Sequence, residues 1–271
     1  MILMVASKED VASMNIAQKI IDHYGFRETS ETFRQNPVYS KGLKDQEARL
    51  IFVNDRLIDT QYIGDFFHPQ LFIYISRHSS VSGIPTLSVH TPGNLGEAPF
   101  GGIPRRVSVS PASAMKEALL EMKKRKEELA LNYEVSYECT HHGPSLDAPT
   151  MFVELGSSLK QWEDQKAAEA VAHAAMAAAS SESKYSAMLG IGGPHYPPKF
   201  TAIALDSPRA FGHIIPKYAV SWMDSKIIRH CVERTVEEVE AIILDWKGIK
   251  GEDKDKLISA LNEIGLPRER D

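Results

Sequence analysis

The chain lacks several features that would settle its class at once. It has only two cysteines, Cys139 and Cys231, in 271 residues. Two thiols make neither a disulfide framework nor a cysteine-based zinc knuckle, and they fit a reducing compartment. No apolar run approaches the roughly 18 residues of a membrane span. Met1 to Ser7 is apolar, but no basic segment precedes it and no small-residue cleavage site follows. It reads as a core strand, and the expected location is the cytoplasm. Positive charge is not in excess. There are 31 Lys and Arg against 36 Asp and Glu, a net charge of -5. That excludes a general attraction to nucleic acid or anionic membrane, though not a local basic patch. No His-Glu-x-x-His helix motif, internal repeat or low-complexity linker is present.

What is present is an ordinary globular composition, 43% hydrophobic and 25% charged. The expectation is one α/β unit over residues 1–271, a three-layer α/β/α arrangement with a mixed sheet. Met1 to Ala6 is a continuous apolar run, as in a strand covered on both faces. Ser7 is placed to cap a helix running to about Tyr24. Residues 25 to 48 are polar and read as irregular, followed by short core strands at Leu50 to Val53, Leu71 to Ile75 and Thr86 to His90. Ser110-Pro111 opens a helix to about Asn132, whose basic run Lys123 to Lys126 alternates with glutamates and reads as a solvated face. Ser158 and Gln161 make a capping box for a helix to about Ala179, and His173 within it reads as structural. Ala187 to Gly190, Phe200 to Leu205 and Val236 to Trp246 read as strands. Phe211-Gly212-His213 reads as a polar turn, and a last helix is expected from about Glu252 to Glu263.

The densest chemistry lies in residues 137 to 158, a polar loop between two apolar runs. Such loops on rigid scaffolds commonly carry function. Tyr133 to Cys139 alternates as a strand, with Glu134, Ser136 and Glu138 on the face opposite Val135, Tyr137 and Cys139. Polar groups stand at the ends of apolar runs in five places: His78, His90, His141-His142 with Glu154, His195 and His213. Neutral imidazoles and a carboxylate can hold Zn²⁺, which makes hydroxide available near neutral pH and polarises a carbonyl. A histidine without metal can instead act as general base. On a regular strand only one of His141 and His142 would enter a site, and both would do so only if the chain turns at Gly143-Pro144. Glu154 sits among apolar neighbours and, if buried, needs a partner. Amides near Gly143, Gly192 and Gly193 are candidates for an oxyanion hole. Arg77, Arg105 and Lys199 flank the stretch as candidates for terminal phosphates. Cys139 and Thr140 carry nucleophilic atoms, but no neighbour activates either.

These segments together carry a resemblance. Ser76-Arg77-His78-Ser79-Ser80, Glu138-Cys139-Thr140-His141-His142-Gly143-Pro144-Ser145, Phe152-Val153-Glu154-Leu155-Gly156-Ser157-Ser158, Gly190-Ile191-Gly192-Gly193-Pro194-His195-Tyr196, and Gly212-His213 through Lys217-Tyr218 resemble, in order and spacing, the archaeal and plant D-aminoacyl-tRNA deacylase family. The resemblance implies an enzyme that hydrolyses the ester between a D-amino acid and the 3′ end of tRNA, broad in side-chain specificity and active on aldehyde-modified substrates. It implies a fold similar to the phosphorylase/peptidyl-tRNA-hydrolase-like group, and Zn²⁺ as cofactor. His142, His195 and Glu154 are the first candidates for metal or base roles, and His78, His141 and His213 follow. The expected partner is tRNA carrying a D-amino acid, with no membrane and no obligate protein partner. Two rival readings remain. A zinc-dependent peptidase or amidohydrolase would act on small acyl substrates without tRNA. A non-catalytic tRNA-binding protein would bind in a salt-sensitive way with no turnover.

Overall fold

The computed structural model describes residues 1–270. The first strand, β1 (Ile2–Ser7), is buried at every position, as its unbroken apolar run requires. It leads into helix α1 (Val11–Tyr24). The cap is Asp10, not Ser7: the Asp10 carboxylate accepts from Ser13 N at 3.0 Å, while Ser7 is still part of the strand. Gly25 ends the helix in the left-handed region, φ 67°.

Residues 25 to 48 are not irregular. They form β2 (Arg27–Phe33), β3 (Asn36–Gly42) and the start of β4 (Glu47–Val53). β2 and β3 pair as an antiparallel hairpin, and its two-residue turn has Arg34 and Gln35 at φ 48° and 65°. Tight hairpin turns need such angles, but glycine or asparagine normally marks them. Here neither does, and β2 lies at a sheet edge with its residues largely exposed, so the apolar alternation is weak.

β5 (Leu71–Arg77) and β6 (Thr86–His90) follow, then helix α2 (Ala112–Glu128), β7 (Glu134–Tyr137) and β8 (Thr150–Gly156). These eight strands form one mixed sheet in the order β2-β3-β4-β1-β5-β8-β6-β7. The expected helix 159–179 is two helices, α3 (Leu159–Trp162) and α4 (Gln165–Ser180). Asp164 breaks them apart by capping the second through Lys166 N and Ala167 N. The alanine-rich α4 packs against α1 and α2, where small side chains permit close approach.

The rest of the chain builds a second, parallel sheet. Its elements are β9 (Ser186–Ile191), helix α5 (Pro198–Asp206), β10 (Arg209–Ile215), α6 (Ser225–Glu233), β11 (Val239–Leu244), α7 (Gly251–Ile264) and β12 (Arg268–Arg270), with strand order β10-β9-β11-β12. The expected strand at Phe200 to Leu205 is therefore helical. Pro198 opens α5, and its buried positions Phe200, Thr201 and Ala204 follow helical spacing. Phe211 to His213 lies within β10, where an irregularity in the pairing with β9 falls between Phe211 and Ile214.

The layered α/β architecture is as expected, with a large mixed sheet flanked by helices. One face of the large sheet packs on α1, α2 and α4, and that apolar cluster continues into Phe200, Phe211 and Ile214 of the second sheet's layer. The opposite face, bearing Phe72, Tyr74 and Phe152, is covered by Leu57, Ile63 and Leu146 from loops and short turns. Loops leave openings that helices would close. The sheets meet where Cys139 N donates to His195 O at 3.0 Å and Thr140 N to Ile214 O at 2.9 Å. The histidines collect at that junction.

Candidate functional site

Three strands place the first acid. Ser76 on β5, Glu154 on β8 and Ser88 on β6 stand in register across the sheet. Glu154 is buried, and its Oε1 accepts from Ser76 Oγ at 2.5 Å. A second acid, Glu138, follows β7 directly and is also buried. Its Oε1 accepts from Ser88 Oγ at 2.5 Å, and its Oε2 accepts from His195 Nε2 at 2.8 Å. His78 lies between the acids, with Nδ1 3.1 Å from Glu138 Oε1 and 3.3 Å from Glu154 Oε2. The Tyr196 hydroxyl closes against its Nε2.

Burial opposes charge on His78, Glu138 and Glu154, yet their mutual attraction favours the charged forms. Burial depresses the His78 imidazole, but Glu138 and Glu154 more than offset this and lift it to about 10. Burial likewise pushes the Glu138 carboxyl up, but the charge of His78 and the bonds from His195 and His78 carry it well below the usual range. Glu154 is raised by burial and by Glu138, and the bond from His78 together with the nearby His90 imidazole turns the balance downward.

On the other side of Glu154 stand three more imidazoles. The His90, His141 and His142 ring centres are 4.3 to 4.9 Å apart. His142 has φ 44°, the left-handed turn that brings both members of the His141-His142 pair into the site. The Nδ1–H of His141 donates to Cys139 O at 2.8 Å, and that of His142 donates to Gly143 O at 2.7 Å. Their Nε2 lone pairs are left facing the cluster. Burial first, and neighbouring imidazoles second, hold both rings neutral: His141 falls well below its usual range and His142 to about 4. His90 is buried, with its ring stacked on Phe152 at 5.2 Å. Among the described residues neither His90 nitrogen has a hydrogen-bond partner, and Glu154 Oε2 is 3.8 Å away.

A buried imidazole with two unmet nitrogens is costly, and two neutral rings fixed by backbone carbonyls are the usual preparation of metal ligands. Donor atoms close to within 4.8 Å in three overlapping sets here: His90, His141 and His142; His90, Glu138 and Glu154; His78, Glu138 and His195. Nitrogen and carboxylate donors of this kind suit Zn²⁺. The trio expected from the sequence, His142, His195 and Glu154, is not such a set. Each falls in a different one, and Glu138 and His90 join them.

Other sequence expectations change. His213 is buried apart from the cluster: Nδ1 accepts from Thr140 Oγ1 and Nε2 donates to Arg234 O, both at 3.1 Å. Both nitrogens are used, so its role is structural. Burial depresses its pKa to about 3. The folded state thus binds the proton less well than the unfolded chain. His213 therefore contributes stability that is complete above about pH 6.5 and is lost as pH falls toward 3. His213→Asn is expected to lower stability by about 1–3 kcal/mol, read by denaturant melts, while the folded fraction keeps its catalytic rate.

The Gly143 amide donates to Phe100 O at 3.0 Å and the Gly192 amide to Ile215 O at 2.8 Å, so neither is available to an oxyanion. Gly143 serves close approach instead: a Cβ there would stand 2.3 Å from Gly102 N. Gly192 and Gly193, at φ 101° and 81°, turn the chain past Asp245 toward His195. Lys199 pairs with Asp245 at 2.9 Å and Arg105 with Asp224 at 2.8 Å. Arg77 lies over Trp162 and borders the site.

Two cavities open on either side of the histidine pair. One, about 340 Å³, is lined by Asp10, Arg77, His78 and Glu154. The other, about 540 Å³, is lined by Leu95, Pro99, Tyr218 and Trp222. Phe100, His141 and His142 line both.

Comparison with known proteins places this chain in a family. A family model described as D-aminoacyl-tRNA deacylase matches residues 66–269. The chain belongs to that family. It is 39% identical to the D-aminoacyl-tRNA deacylase of Pyrococcus furiosus over 271 residues, covering 97% of each chain. It is 41% identical to that of Pyrococcus abyssi, again covering 97% of each. A solved structure described as the conserved protein of unknown function AF0625 superposes with a TM-score of 0.88 at 29% identity, covering 100% of this chain and 95% of that one. Every cluster residue, from His78 to Tyr196, lies within the matched segment of this family member. Like its curated relatives, the chain is a hydrolase. Among the described residues no helix is long and apolar enough to cross a membrane.

Proposed function

We propose that the chain hydrolyses the ester that joins a D-amino acid to the 3′ end of tRNA, acting as one unit over residues 1–271 in the cytoplasm. The observation that carries this reading is the convergence of five histidines and two buried carboxylates around His141 and His142, which line two cavities. An ester with a bulky group on each side needs reacting atoms between two spaces. His90, His141 and His142 are the residues that would hold Zn²⁺, with Glu154 beside them. When bound, Zn²⁺ supplies Lewis acidity toward an ester carbonyl.

The chain's own residues handle the protons. Glu138 orients His195 through Nε2, and His195 is less enclosed than His78. Water adds to the ester carbon and gives up a proton to this His195–Glu138 pair. The bond from carbon to ribose oxygen then breaks, and that oxygen takes a proton from the His78–Tyr196 pair. The products are a free D-amino acid and tRNA with its terminal hydroxyl restored. Ser76 and Ser88 hold the two carboxylates so that the imidazoles cannot swing.

The test is release of amino acid from D- and L-tyrosyl-tRNA. The D form is expected to be cleaved at least about 100-fold faster, a difference of roughly 3 kcal/mol in transition-state binding. Equal rates, or no release from the D form, contradict the proposal. Cleavage of N-acyl amino acids with no use of tRNA would instead favour an amidohydrolase.

A further inference from the structure

The substrate just proposed has two dissimilar ends, and the two cavities differ in the same sense. The 340 Å³ cavity is strongly charged, with the carboxylates Glu9, Asp10 and Glu154 facing Arg56, Arg77 and His78. Asp10 is buried, fixed by Arg77 N at 2.8 Å and by the start of α1. A charged wall that includes buried carboxylates suits the α-ammonium end of an amino acid. The 540 Å³ cavity has one acid, Glu97, and is otherwise mainly apolar and aromatic. Three of its aromatic side chains are exposed although they border a cavity: Phe100 at 63%, Tyr218 at 51% and Trp222 at 48%. Exposed rings beside a catalytic wall are what an unpaired base stacks on, since every base has a π face.

The rings are also held in place. Phe100 O receives the Gly143 amide, which ties that loop to the histidine pair. Trp222 rests on Gly96, where a Cβ would come within 3.2 Å of its Nε1. Lys217, next to Tyr218, is exposed and places positive charge beside this cavity, where a polyanion would leave.

We propose that the aromatic cavity seats the terminal adenosine of the substrate, its base stacked on Trp222 and Tyr218, and that the amino acid occupies the charged cavity beyond His141 and His142. This rests on the hydrolytic reading above. It assigns the two sides of the scissile ester to two named spaces and makes Trp222 and Tyr218 determinants of nucleoside binding.

The experiment compares the wild-type protein with Trp222→Ala, Tyr218→Ala and Trp222→Phe on four substrates: D-tyrosyl-tRNA, D-alanyl-tRNA, 3′-O-D-tyrosyladenosine and D-tyrosine methyl ester. Both alanine variants are expected to raise KM about tenfold for the three substrates that carry adenosine, regardless of the amino acid. The methyl ester, which has no base to stack, is expected to react unchanged, and Trp222→Phe to recover most of the loss. A penalty that grows with amino-acid size and extends to the methyl ester would put the side chain in this cavity and overturn the assignment. No change on any substrate would overturn it too. A wild-type protein inactive on D-tyrosyl-tRNA would defeat the underlying hydrolytic reading first, so the two failures are distinct.

Discussion

Glu138→Gln is expected to lower the hydrolysis of D-tyrosyl-tRNA by about 10³-fold, the largest loss of any single substitution in the site. The reason is the number of groups that depend on one charge. Glu138 accepts from Ser88 at 2.5 Å and from His195 at 2.8 Å, stands 3.1 Å from His78, and lies 3.7 Å from His141 Nε2. Glutamine keeps the shape but removes the charge, and it turns one acceptor into a donor facing an imidazole N–H. His78, whose proton is held by both acids, then keeps only Glu154. Removing one partner of a buried ion pair costs about 3–5 kcal/mol, so a fall in thermal midpoint should accompany the loss. Glu134→Gln, an exposed change four residues earlier at the start of β7, is the control and should leave both rate and midpoint unchanged. Steady-state release of tyrosine together with a thermal melt reads both effects. A Glu138→Gln rate within threefold of wild type would show that the carboxylate is not central.

His90→Leu should separate function from stability. Hydrolysis is expected to fall about 100-fold, while the metal-free protein is expected to become more stable by about 1–2 kcal/mol. Both effects follow from the same observation. His90 is buried beside Phe152 with no hydrogen-bond partner on either nitrogen among the described residues. An imidazole left in that state costs its desolvation and returns no hydrogen bond to the fold, and leucine of similar size removes the cost. Urea melts of both proteins after chelation measure the stability change, and metal content per chain measures the loss of a ligand. If His90→Leu instead destabilises the chelated protein strongly, His90 is part of the packing and the metal reading loses its support.

Much of the site could be read from residue order, and the remainder could not for identifiable reasons. His78, His141, His142, Glu154 and His195 stand out because each is polar at the end of an apolar run. Glu138 was hidden by its own strand. Alternation sets it with Glu134 and Ser136 against Tyr137 and Cys139, which suggests an outer face, but that face turns inward where β7 ends at the junction of the two sheets. His90 carries the same strand-end signature, yet its lack of partners is a property of the packed core. His213 carries it too and is structural, because Thr140 and the Arg234 carbonyl that engage it come from distant segments. In the sequence Arg105 and Lys199 look open to phosphate, because their partners Asp224 and Asp245 lie far along the chain. In the fold, the hairpin of β2 and β3 escaped notice because its turn lacks glycine and its edge strand lacks an apolar face. The helix at Pro198 is hard to tell from a strand in the sequence because its apolar residues suit either period over so few positions.

The central claim is that residues from separate segments of the chain form one ester-hydrolysing centre around Glu138 and Glu154. It is tested most directly by release of tyrosine from D-tyrosyl-tRNA under single-turnover conditions, measured side by side for wild type, Glu138→Gln, Glu154→Gln and His213→Asn. The account predicts losses of at least about 100-fold for the two glutamine variants and a rate near wild type for folded His213→Asn. Retained activity in both glutamine variants, or a His213→Asn loss as large as theirs, would contradict it.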